Sequence, residues 1–144
     1  MKEPAGWQSA VLLAYCAMAR PEAGGCGWCG ETLPKGRRRW CAEKCGEDFW
    51  SNHWWPMARR AAKTRDRRTC VRCGHSPAKR PSGGGEALRA WRAGRRKDRL
   101  EVNHRIACEG RHASLSCSHH LDNLETLCVP CHAEHTRGLV KERA

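Results

Sequence analysis

The chain has 144 residues, 40% of them apolar, and a mean hydropathy of −0.77, which suits one domain or two very small ones. A single Phe and a single Tyr exclude a large hydrophobic core, while seven Trp and eleven Cys exclude a wholly disordered chain. The formal net charge is +12, and no run approaches the ~20 apolar residues that a membrane span needs.

Residues 1–23 form a lead-in. Its apolar run Ala10–Ala19 predicts a short amphipathic or buried helix, since Lys2, Glu3 and Pro4 do not make the basic start of a signal peptide. An intracellular protein is therefore expected, in the cytoplasm of a bacterial host or in a nucleus. In that setting paired cysteines read as zinc ligands rather than disulfides.

Residues 24–55 read as a four-cysteine zinc module. Cys26 and Cys29 form a C-x2-C pair in a glycine-rich knuckle, and Cys41 and Cys45 form C-x3-C, about one helical turn apart. Arg37–Trp40 predicts a short strand leading to the second pair. Four thiolates complete a closed tetrahedral site, and so short a module needs metal binding for much of its folding energy. Trp28, Trp40, Phe49, Trp50, Trp54 and Trp55 are expected to form its small core, with an aromatic platform for bases as the alternative.

Residues 56–99 read as a basic helical linker that carries the knuckle Cys70/Cys73. Pro56 suits the first position of a helix, His75–Gly85 is a Pro/Gly/Ser-rich loop, and Glu86–Arg99 predicts a basic helix interrupted by Gly94. Between Pro56 and Arg99 there are 15 basic and 3 acidic residues, a net of +12, so the other 100 residues balance to zero. A block of this kind is the footprint of a polyanion, nucleic acid above all. The candidate contacts are Arg59, Arg60, Arg67, Arg68, Arg92, Arg95, Arg96, Lys97 and, just beyond the block, Arg105.

Residues 100–140 hold the remaining motifs, followed by a tail at 141–144. Leu100–Ile106 alternates like a strand, Leu124–Leu127 predicts a short strand or extended turn, and Pro130–Val140 predicts a helix. Cys128 and Cys131, the third C-x2-C, join Cys70 and Cys73 in a second zinc set, although 54 residues separate Cys73 from Cys128. Cys16, Cys108 and Cys117 have no partner at ligand spacing and read as buried or reduced thiols. His53, His75 and His112 read as structural or solvent-facing, and His119 and His120 as exposed or close to phosphate or metal.

LEVNHRI followed by LDNLETLCVPCHAEHT resembles the HNH endonuclease motif in its zinc-knuckle subgroup. CGWCG, RRWCAEKC, FWSNHWW and TCVRCG extend the likeness over residues 24–140. The resemblance implies a small α+β, zinc-stabilised ββα-metal fold preceded by a four-cysteine module. It also implies metal-dependent hydrolysis of DNA phosphodiester bonds. On that likeness His104 matches the general base that activates water, and Asn123 the middle Asn that orients the catalytic histidine or holds the loop. His132 matches a ligand of the single catalytic divalent metal, Mg²⁺ or Mn²⁺. Asn103 stands where the family usually has Asp; its amide oxygen can coordinate a hard cation but brings no charge. Glu101 lies two residues away on the same strand face and is placed to help, and His135 is a further candidate ligand. The expected cofactors are two structural Zn²⁺ ions and that one divalent metal. The expected partner is double-stranded or branched DNA, contacted with weak sequence specificity because phosphates carry no sequence information. The competing reading is a zinc-built module that binds nucleic acid without cutting it.

Overall fold

The computed structural model describes residues 6–108 and 115–142, so His112 lies outside the described residues. It is a small α+β protein with a two-stranded sheet. Among the described residues no helix is long and apolar enough to cross a membrane. The chain divides into two compact units, each built from two stretches: Met1–Arg60 with Ile106–Asn123, and Ala61–Arg105 with Leu124–Ala144. Boundaries at 55/56 and 99/100 are thus not the structural ones. Residues 106–123 belong with the first cysteine module, because backbone groups bind them to the end of its helix. Ser116 N donates to His53 O at 3.1 Å, and Leu121 N donates to Asn52 Oδ1 at 3.0 Å.

The first unit contains α1 (Gly6–Tyr15), α2 (Glu43–His53) and the start of α3 (Trp55–Arg65). Helix α1 sits earlier than the apolar run Ala10–Ala19 suggests, because the chain turns at Cys16, whose carbonyl accepts from Ala19 N at 3.1 Å. Leu13, Phe49 and Trp50 are buried, surrounded by Trp28, Trp40, Trp54 and Met57. Phe49 is the centre of this core, edge-on to Trp28 at 6.2 Å and to Trp50 at 4.9 Å. Gly46 makes room for it: a Cβ there would stand 3.1 Å from the Trp40 ring. Of the six expected core aromatics, Trp55 lies apart from this cluster and rests on His119, with ring centroids 5.2 Å apart. Arg37–Trp40 forms no strand; Arg39 O instead accepts from Gly27 N at 2.9 Å and closes the knuckle.

The second unit contains the end of α3, α4 (Gly85–Gly94), β1 (Leu100–His104), β2 (Leu124–Cys128) and α5 (Val129–Glu142). Strands β1 and β2 pair antiparallel, with Leu100 opposite Cys128 and His104 opposite Leu124. Helix α3 stops in a turn where Arg67 (φ 52°) and Arg68 (φ 53°) are both left-handed. That turn delivers Asp66 and Val71 to the outer edge of β2. Asp66 Oδ2 accepts from Thr126 N at 3.0 Å, and Val71 N donates to Thr126 O at 2.9 Å. Both backbone groups of the fully buried Thr126 are therefore satisfied. The core is Cys70, Leu100, Leu127 and Cys128, with Cys131 against it.

Burial raises the Asp66 carboxyl, but hydrogen bonds from Arg65 and from Thr126 outweigh it and hold it below the usual carboxylate range. A carboxyl depressed in the folded state adds stability above its unfolded pKa, about 3.9, and loses it as pH falls through the folded value. Asp66→Ala orphans a buried N–H and should cost roughly 1–3 kcal/mol at pH 7. The loss should shrink in urea titrations near pH 3; a loss independent of pH would contradict the assignment.

Candidate functional site

Two four-cysteine clusters are assembled, Cys26/Cys29/Cys41/Cys45 in the first unit and Cys70/Cys73/Cys128/Cys131 in the second. Within each, all four sulfurs lie within 4.8 Å of one another. Zinc–thiolate bonds of about 2.3 Å at tetrahedral angles place sulfurs about 3.8 Å apart. The separations Cys29–Cys41 at 3.5 Å, Cys41–Cys45 at 3.6 Å and Cys73–Cys128 at 3.6 Å are close to that spacing. Both clusters are compatible with zinc.

The same backbone device builds both. The first cysteine of each knuckle donates its N–H five residues on, Cys26 to Glu31 O at 2.7 Å and Cys70 to His75 O at 2.8 Å. Its carbonyl accepts from the glycine four residues on, Gly30 or Gly74, each at 2.9 Å. Both glycines are left-handed, with φ of 81° and 75°. The residue after that cysteine then bonds to the residue two before the second pair: Gly27 to Arg39, and Val71 to Thr126. A helix follows and carries the last sulfur, Cys45 in α2 and Cys131 in α5.

Burial raises the Cys26 thiol, but the N–H groups of Cys29, Cys41 and Trp28 outweigh it and bring it to about 6. Cys70 comes to about 6 in the same way, through Cys128, Cys73 and Arg72. By contrast, burial and neighbouring sulfurs push Cys45 up to about 12, and the Cys128 sulfur raises Cys131. Backbone N–H groups thus favour the thiolate of the first cysteine in each cluster, and zinc must displace the protons that Cys45 and Cys131 hold.

The second cluster also aims a histidine. Cys128 ends β2, Cys131 lies in the first turn of α5, and His132 follows it. Directly opposed residues of an antiparallel pair share a face, so Glu101, Leu127, Asn103 and Glu125 are on one side. His132 meets that side: its Nδ1 lies 2.5 Å from Glu101 Oε2. This contact, then Arg99, holds the Glu101 carboxyl below its usual range against the opposing effect of burial. Nδ1–H donates to the carboxylate, which leaves the Nε2 lone pair for a metal or a proton. Glu101 thus contacts His132 from the strand face that also bears Asn103.

Glu125, which the sequence does not single out, explains Asn103. It is buried, and its Oε1 accepts from Asn103 Nδ2 at 3.1 Å and from Arg72 at 3.3 Å. An Asp at 103 would set two carboxylates together, whereas the amide satisfies Glu125 and keeps Oδ1 as an acceptor. Arg72 also meets His135 Nδ1 at 3.0 Å. His104 is buried and, by strand alternation, on the face opposite Asn103. Asn123 is a loop staple: its amide accepts from Ile106 N at 2.9 Å and donates to Ile106 O at 3.1 Å and Ser118 O at 2.9 Å.

All nine candidate basic contacts are exposed. Arg59 and Arg60 lie in the first unit; Arg67, Arg68, Arg92, Arg95, Arg96, Lys97 and Arg105 lie in the second. The second unit holds 17 basic and 7 acidic residues, so it carries +10 of the net +12. Arg95 lies 5.5 Å from the centre of the Trp91 ring, which holds a guanidinium at the surface.

The expectation that Cys16, Cys108 and Cys117 lack partners is corrected. Cys16 and Cys117 gather with His53 and His120, and Cys108 lies within 4.8 Å of His119, all in the first unit. His53 is fully buried, and burial, partly offset by the Phe49 carbonyl, lowers it to about 4. His119 is buried beside Trp55. Only the Cys117-x2-His120 spacing signalled this gathering in the sequence; Cys16 and His53 stand alone there. No known protein family, curated protein or solved structure matches the chain.

Proposed function

We propose that this chain is a metal-dependent endonuclease of the HNH type, hydrolysing DNA phosphodiester bonds at a site on its second unit. The observation that carries this reading is the β1–β2–α5 succession on a four-cysteine cluster, with His132 held by Glu101 over the strand face that bears Asn103. Asn103 Oδ1 and His132 Nε2 are a sparse oxygen and imidazole set that suits Mg²⁺ or Mn²⁺ and leaves positions open for water and phosphate. A divalent cation there would polarise the phosphate and stabilise the leaving 3′ oxygen.

The chain's own groups do the rest. His104 ends β1 next to Asn103 and is the proposed general base, since an imidazole accepts a proton near neutral pH. Asn123 fixes the loop at Ile106, two residues beyond it. The exposed arginines of the second unit grip the backbone of duplex or branched DNA with little sequence preference. Thiolate-rich zinc clusters suit a reducing, intracellular compartment.

A second reading, a zinc-built module that binds DNA without cutting, is favoured by the strand alternation that turns His104 away from Asn103. Incubation of the zinc-loaded chain with supercoiled plasmid and Mg²⁺ or Mn²⁺ separates the two. Nicked circles followed by linear DNA are expected. Intact plasmid with every divalent cation, and DNA binding retained, would leave the second reading.

A further inference from the structure

We propose that Cys16, His53, Cys117 and His120 bind a third zinc ion, a structural Cys2His2 site inside the first unit. Cys16 Sγ lies 3.2 Å from His53 Nε2 and 3.4 Å from His120 Nε2, and the two Nε2 atoms lie 3.0 Å apart. All four ligand atoms, Cys117 Sγ included, fall within 4.8 Å of one another. A tetrahedral zinc with these ligands sets their atoms about 3.3–3.8 Å apart. Cys16 and the two histidines are therefore slightly closer together than they would stand around an ion.

The surroundings are built for ligation. His53 Nδ1–H donates to Phe49 O at 2.7 Å, which fixes the tautomer and points the Nε2 lone pair at the other three groups. Phe49 stacks on the same ring at 4.5 Å, and Trp28 meets it edge-on at 5.8 Å. Cys117 and His120 are held by a capped turn: Ser116 Oγ accepts from Ser118 N at 3.0 Å, and His120 N donates to Cys117 O at 3.1 Å. Ser116 N and Leu121 N tie that turn to the end of α2.

Charge decides the metal and the purpose. Two thiolates and two neutral imidazoles cancel Zn²⁺, whereas a four-thiolate site keeps a charge of −2. A neutral complex is the one that tolerates burial, and Cys16 and His53 are 6% and 0% exposed. Mixed sulfur and nitrogen ligands in a tetrahedron select zinc over oxygen-seeking cations. The ion would join the end of α1, the end of α2 and the 117–120 turn, three segments far apart in sequence. It would supply cross-linking that the small core of this unit lacks.

The test is native mass spectrometry of the full zinc-loaded chain, with X-ray absorption at the zinc edge. The expected result is three zinc ions per chain and a nitrogen contribution from two imidazoles. His132→Ala should keep that count. Cys117→Ser and His120→Asn should each lower it to two and leave an all-sulfur shell. Two zinc ions with only sulfur ligands in the wild-type chain would overturn the proposal, as would a nitrogen shell that both variants retain. The wild-type shell decides even if a variant fails to fold.

Discussion

Cys26→Ser should abolish the folded state of the first unit, and Cys70→Ser that of the second. A structural zinc supplies about 10–16 kcal/mol in small metal modules, as much as the ~5–15 kcal/mol net stability of a typical domain. Each substitution also removes a sulfur whose thiolate form the backbone N–H groups stabilise. Six of the seven tryptophans lie in the first unit, and near-UV circular dichroism therefore reports its core. Cys26→Ser should lose that signal. Cys70→Ser should lose the slow amide exchange of β1 and β2. A Cys26→Ser variant that keeps its signal and its zinc would show the cluster to be four unrelated thiols.

His132→Ala should abolish the binding of Mn²⁺ to the zinc-loaded chain, and Glu101→Gln should weaken it by about 10–100-fold. The two effects differ because the imidazole is the proposed ligand, while Glu101 only fixes its tautomer and direction. Gln in place of Glu keeps the shape but offers an amide where Nδ1–H needs a strong acceptor, so the ring is freed to turn. Cleavage should follow metal affinity: at saturating Mn²⁺ Glu101→Gln recovers most of its rate and His132→Ala does not. Isothermal titration with Mn²⁺ and plasmid nicking at several Mn²⁺ concentrations measure both. Unchanged Mn²⁺ affinity in His132→Ala would remove the histidine from the metal site.

Much of the second unit was legible in the sequence. The alternation of apolar Leu100 and Val102 with polar Glu101 and Asn103 points to β1, and C-x2-C spacing points to the cysteines that gather in its four-sulfur cluster. What spacing did not reveal was partnership across the chain. Cys16 meets His53 over 37 positions and His120 over 104, and no local pattern encodes contacts of that range. The interleaving of the units was hidden for a similar reason. Residues 106–123 have neither helical nor strand period, and they join the first unit through bonds from their backbone N–H groups to the His53 carbonyl and the Asn52 side chain. In the sequence Asn103 reads as a ligand without charge; the reason for an amide lies in Glu125, its cross-strand neighbour, which no local pattern marks.

The most direct measurement of the proposed activity is the single-turnover rate of plasmid nicking by the wild-type chain and by His104→Ala, matched in zinc content and saturated with Mn²⁺. Loss of a general base costs typically 10²–10⁴-fold, so the variant should nick at least about 100-fold more slowly while binding Mn²⁺ and DNA as the wild type does. Equal rates in the two proteins, or no nicking by either, would contradict hydrolysis driven by His104.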